Sequence, residues 1–140
     1  MSQMSDFLEQ GLLGHLFRTA SFTKPTVIAI ALCTAAPTDA STGATIVEVP
    51  NSNNYARVSL NPLDANWAAV GVGGVTSNSV AITFAAATGS WGTVSHVAIC
   101  DSATWGAGNM LLYGALAVSK AVANGDTFSF AIGALTVTFA

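Results

Sequence analysis

The apolar positions of this chain change their period once. Between residues 5 and 19, Leu8, Leu12 and Leu16 recur every four residues, with Leu13 and Phe17 alongside. That spacing lines one side of a helix with apolar side chains. Asp6 and Glu9 sit three apart at its start, the spacing of a capping box. Gly11 and Gly14 each weaken the helix by about 1 kcal/mol relative to Ala. Such a helix needs a surface to lie on, either its own β domain or a neighbour.

From residue 26 onward the pattern is that of strands. Residues 26–33 are apolar on both faces, as in a buried strand. Residues 54–60 alternate, with Ala56, Val58 and Leu60 on one side and Tyr55, Arg57 and Ser59 on the other. Residues 66–70 predict a short strand before glycines 71, 73 and 74. Val80, Ile82 and Phe84 alternate, and strands are expected at 93–100, 109–116 and 117–122. Asn124-Gly125 is a hairpin turn signal. Phe128, Phe130 and Ile132 are apolar at even positions, whereas Leu135, Val137 and Phe139 are apolar at odd ones. A bulge at Gly133 would keep both halves facing the core. Eight or nine short strands at regular spacing predict a mainly β fold. The expected domain is an antiparallel β-sandwich or barrel-like, with the jelly roll one form it takes, behind an N-terminal amphipathic α-helix. Residues 1–22 are assigned to the helical arm and 23–140 to the β domain.

Charge changes this picture most. Only 8% of the 140 residues are charged, against roughly a quarter in an ordinary soluble domain. Either Ser, Thr, Asn and Gly supply a neutral polar surface, or neighbouring subunits cover much of it. The second is favoured, because exposed apolar patches mark interfaces. Net charge is −3, and the four basic residues, Arg18, Lys24, Arg57 and Lys120, are scattered. No basic stripe exists to neutralise phosphates, so no nucleic-acid partner is expected. No secretory signal is read at the start, and the apolar run 27–33 is too short to span a bilayer as a helix, so no membrane partner is expected. Cys33 and Cys100 are expected as reduced core cysteines, with pairing left open.

The search for chemistry finds little. His96 and Cys100 lie four strand residues apart, roughly 13 Å, too far to share a metal. His15 belongs to the helix. Asp6, Glu9, Asp39, Glu48, Asp64, Asp101 and Asp126 are assigned mostly to turns and helix starts. No nucleophile elbow, phosphate loop, HExxH or CxxC occurs. No catalytic residue, metal site or cofactor is assigned. Trp67 and Trp91 are expected in the core or at an interface. Trp105, in a glycine-rich loop with Asp101 and Asn109 nearby, is the candidate for a surface or glycan contact.

An ordered series of short motifs carries a resemblance. It runs from the start Ser5-Asp-Phe-Leu-Glu-Gln-Gly-Leu-Leu-Gly-His-Leu-Phe17 through Leu32-Cys-Thr-Ala-Ala-Pro-Thr38 and Tyr55-Ala-Arg57. Ser90-Trp-Gly-Thr-Val-Ser-His96, Leu112-Tyr-Gly-Ala-Leu116 and Gly125-Asp-Thr-Phe128 complete it. The series resembles a family of small tailed-phage virion proteins. Its members are labelled tail fibre proteins, and some look like capsid decoration proteins or head-spike bases. The resemblance implies a non-enzymatic virion component present in many copies and assembled in the host cytoplasm. The leading expectation is a homo-oligomeric decoration or cement protein, or a head-spike or fibre base. The alternative is a tail fibre component or a carbohydrate-binding receptor module. Expected partners are further copies of itself, as a trimer or pentamer, and the phage major capsid protein or tail and fibre proteins. Leu8, Leu12, Leu13, Leu16 and Phe17 are the expected assembly interface.

Overall fold

A computed structural model describes residues 2–139. Its elements are β1 (Gln3–Met4), α1 (Asp6–Phe17), β2 (Ala29–Cys33), β3 (Val58–Ser59), β4 (Val75–Ser77), β5 (Ile82–Thr83), β6 (Gly92–Cys100), β7 (Met110–Val122), β8 (Ser129–Phe130) and β9 (Thr136–Thr138). Every pairing is antiparallel. A five-stranded sheet has the order β1-β7-β6-β2-β3, and β4–β9 and β5–β8 form two separate ladders. The fold is mainly β, as the alternation predicts, and no barrel closes.

The main core lies between the sheet and the ladders. Ile30, Leu32, Ile99 and Leu112 from the sheet share one cluster with Ile82, Phe84, Phe128, Leu135 and Val137. Phe84 is its hub: its ring lies 6.1 Å from Tyr55, 6.4 Å from Trp91 and 5.9 Å from Phe128. The other face of the sheet is buried too, by Ala31, Cys33, Ala98, Cys100, Met110 and Tyr113 with Ile46. Burial on both faces explains why β2 has no polar residue. The small side chains on the second face let the segment that follows β2 approach closely.

Several expected elements differ, each for a physical reason. In 54–60 only Val58–Ser59 form a strand, and Tyr55 and Arg57 point inward while Ala56 is exposed. Both sides of the alternation are used: Leu60 is buried and Val58 packs on the core from one, while Tyr55 and Arg57 are buried from the other, Arg57 on a counterion. Residues 66–70 make no strand. Trp67 among them, and Gly71 just beyond, meet the β4 side through the isolated bridges Trp67–Asn78 and Gly71–Val75. The strands expected at 109–116 and 117–122 are one strand, Met110–Val122, with 116–119 bulged out between the Ala115–His96 and Lys120–Val94 pairs. Asn124-Gly125 does turn the chain, with Asp126 N donating to Ala123 O at 3.0 Å. The strand that follows pairs with β5 rather than β7, so no hairpin forms. Gly133, at φ +77, is a turn residue and not a bulge: Ala134 N donates to Ala131 O at 3.0 Å. The phase flip arises because β8 and β9 belong to different ladders.

The cysteines stay apart. Cys33 faces His96 across the β2–β6 register and Cys100 faces Ala29, so they are separated by about 13 Å along the strands. Both are free and buried. Burial and then the Glu48 charge push the Cys33 thiol up to about 12, and burial pushes Cys100 up to about 11. Tyr113 is held up to about 12, chiefly by the hydrogen bond its phenol donates to Asp39. The folded state therefore keeps these protons when the unfolded chain begins to lose them. Their contribution to stability is full below about pH 9 and is lost as pH rises through 11 to 12. Urea midpoints should hold from pH 7 to 9 and fall steadily above. A thiol reagent at pH 8 should leave both cysteines unmodified until urea is added. Rapid native labelling would contradict the burial.

Candidate functional site

Helix α1 is fastened to the domain by one side. Ser5 is its N-cap, accepting from Leu8 N at 3.3 Å, one residue ahead of the expected Asp6–Glu9 box. The Ser5 hydroxyl also donates to Met110 O, so the cap ties the helix to β7. Leu8 is buried in the main core and Leu12 packs against it. Gly11 leaves room for Phe22: a Cβ there would collide with the ring. Phe22 in turn meets Phe7 edge-on, with ring centroids 6.1 Å apart.

The expected stripe is thereby divided. Leu8 and Leu12 are taken up by the chain's own core, whereas Leu13, Leu16 and Phe17 are 58%, 69% and 78% exposed. At 100° per residue, Phe17 lies half a turn around the axis from Leu8. The apolar sector is simply wider than the face that the domain can cover. On the inner side of the helix a groove of about 650 Å³ opens beside Leu8, Phe22, Leu63, Trp67, Val70 and Phe139. Trp67 is set there by its indole N–H, which donates to Leu60 O at 3.0 Å.

The loop candidates do come together, and most of their polar atoms bond within the chain. Asp101 accepts from Asn109 N at 2.6 Å and from Asn109 Nδ2 at 2.8 Å. The Trp105 indole N–H donates to Val49 O at 2.9 Å. Asp101 and Asn109 thus close the loop on itself, and only the ring of Trp105, 42% exposed, faces outward.

Beneath that loop lies a cluster that sequence reasoning missed. Arg57 Nε and Nη2 donate to the two carboxylate oxygens of Glu48 at 2.9 and 2.7 Å. Nη1 donates to Ser102 O at 2.9 Å and Ala107 O at 2.8 Å, and Nη2 to Gly43 O at 2.8 Å. All five guanidinium N–H groups are used. Tyr55 donates to Glu48 Oε1 at 2.8 Å and accepts from Leu32 N at 2.9 Å. Burial opposes the Arg57 charge, yet its hydrogen bonds to Glu48 raise its pKa, and burial with the Glu48 charge drives the Tyr55 phenol up. Arg57 and Glu48 side chains are 0% and 2% exposed, out of reach of any substrate. The cluster ties two loops to the sheet. The sequence signal was an acid and a base nine residues apart in a chain with few charges.

The histidines are in local contacts. His15 Nδ1 accepts from Phe22 N at 3.3 Å, and His96 Nδ1 bonds Ser95 Oγ at 2.9 Å. Among the described residues no three His, Cys, Asp or Glu side chains gather in a way that could hold a metal ion. No curated protein matches the chain. The family described as podophage GP4 fiber I protein gp80 does match, over residues 3–138. With nearly the whole sequence covered, and in keeping with the resemblance carried by its motifs, the chain belongs to this family of phage fibre proteins.

Proposed function

We propose that the chain is a non-enzymatic, homo-oligomeric structural subunit of the virion, built into a fibre or spike base or attached to the head as a decoration protein. Its partners on this reading are further copies of itself and the phage major capsid protein or a tail or fibre protein. One observation carries it: a helix pinned to its domain by Ser5 and Leu8 holds Leu13, Leu16 and Phe17 out in water. A lone apolar side chain at a surface needs no explanation, but three on one pinned face mark a contact. The scarcity of charge elsewhere supports the same reading. The receptor-module alternative rests chiefly on the Trp105 ring, since both carboxylate oxygens of Asp101 and the amide nitrogen of Asn109 are already paired with each other.

The test is sedimentation of the purified chain. The wild type should run as a trimer or pentamer. The double substitution Leu16→Glu and Phe17→Glu should shift it to monomer with unchanged circular dichroism, because neither residue packs in the domain. A wild type that stays monomeric at high concentration and binds no virion shell would overturn the reading.

A further inference from the structure

We infer that the outer face of α1 in one protomer seats in the apolar groove of a second copy of this chain, head to tail, with Arg18 meeting Asp64 at the rim. The inference rests on the homo-oligomer reading and supplies the contact that would build it.

Three observations select the second copy as the occupant. The first is shape and placement. The groove is an open, almost wholly apolar trough flanked by exposed Leu63 and Val70, 60% and 75% exposed. Leu8 borders it, and Phe17 points the opposite way from Leu8 around the helix. A protomer cannot fill its own groove with its own stripe. A head-to-tail contact satisfies both, and closes into a ring when the rotation permits.

The second is area. Leu13, Leu16 and Phe17, together with Leu63, Val70 and Phe139, expose on the order of 800 Å² of apolar surface. Interfaces are roughly 60% apolar, so these six imply a contact of about 1,300 Å². That exceeds the roughly 1,000 Å² that separates specific interfaces from chance contacts.

The third is charge. Arg18 follows the last helical residue and Asp64 lies at the groove, and both are exposed. Neither has an ion-pair partner among the described residues. In a chain with eleven charged side chains, one unpaired cation beside the stripe and one unpaired anion beside the groove are complementary. Insertion of the stripe brings them together.

The experiment is a charge swap on the full-length chain, read by sedimentation velocity across a dilution series. Arg18→Asp and Asp64→Arg should each weaken self-association about tenfold, and the double swap in one chain should restore it. Leu63→Glu, which faces the groove but is exposed, should weaken it about a hundredfold with unchanged circular dichroism. If the wild type oligomerises and the swaps and Leu63→Glu leave it unaltered, the groove is not the receptor, while the homo-oligomer reading stands. If the single swaps weaken association but the double swap does not recover it, the pairing is wrong. A monomeric wild type removes both proposals.

Discussion

Replacing Arg57 by Met should cost about 3–5 kcal/mol, a large share of the 5–15 kcal/mol that holds a typical domain folded. The cost has two sources. Glu48 would be left as a buried carboxylate without its counterion, and the carbonyls of Gly43, Ser102 and Ala107 would lose their donors. Urea unfolding followed by tryptophan fluorescence would read it, with Lys24→Met as an exposed control within about 0.5 kcal/mol. Arg57→Lys should rescue little, because an ammonium offers three donors from one point where five in a planar fork are used. Glu48→Gln with Arg57→Met should recover part of the loss but not all, since the carbonyls stay unpaired. A single Arg57→Met variant within 1 kcal/mol of wild type would show that the cluster does not hold the loops.

A second large loss, about 3 kcal/mol or more, is expected from Asn78→Leu. Asn78 is 1% exposed. Its Nδ2 donates to Val80 O at 2.7 Å and Ala131 O at 2.9 Å, and its Oδ1 accepts from Leu135 N at 2.9 Å. Its own backbone accepts from Gly133 N at 2.8 Å. One side chain thus holds the turn between β8 and β9 against the start of β5. Asn78→Asp is the sharper probe. It keeps the acceptor for Leu135 N but sets a carboxylate against two carbonyl oxygens. That variant should be weakest at neutral pH and recover in part on acidification, when a protonated carboxyl donates again. The folded-state pKa would be raised, so the recovered stability is lost as pH climbs through it. Thermal melts from pH 4 to 8 would show the slope, and a flat profile would contradict the contact geometry.

Both residues show where local pattern stops being informative. A continuous apolar run found β2, and strand-length apolar patterns found β6 and most of β7, because each presents apolar side chains to a layer that packs on it. Alternation gave no sign that Arg57 is buried at 55–57, because that burial depends on Glu48, which the local pattern cannot weigh. It read Gly133 as a bulge because a change of phase within one strand and a crossover between two ladders leave the same trace; only Asn78, more than fifty residues earlier, tells them apart. The helix was legible as a helix, but the division of its stripe was not. Leu8 and Leu16 are equivalent in sequence, and only the position of the domain surface makes one core and the other exposed. Trp105 was rightly placed in a loop with Asp101, whereas Asn109, expected to open the next strand, lies in that loop one residue before β7. Their hydrogen bonds turn inward because two glycines at positive φ, Gly106 and Gly108, fold the loop back on itself.

The pairing of β1 with β7, and of Ser2 with Thr138 at 2.9 and 3.0 Å, sets an order in time. As the chain leaves the ribosome, β1 and α1 emerge well before β7, the strand on which they dock. β2 likewise waits for β6. Such long-range pairing closes loops late and slows folding. Until β7 exists, Leu8 and the outer stripe are exposed together on a helix that is barely stable alone. Docking of Leu8 turns a sticky segment into an oriented one. A truncated chain lacking β7 has no partner for β1 or for the Ser5 hydroxyl, so nothing holds Leu13, Leu16 and Phe17 in a fixed direction.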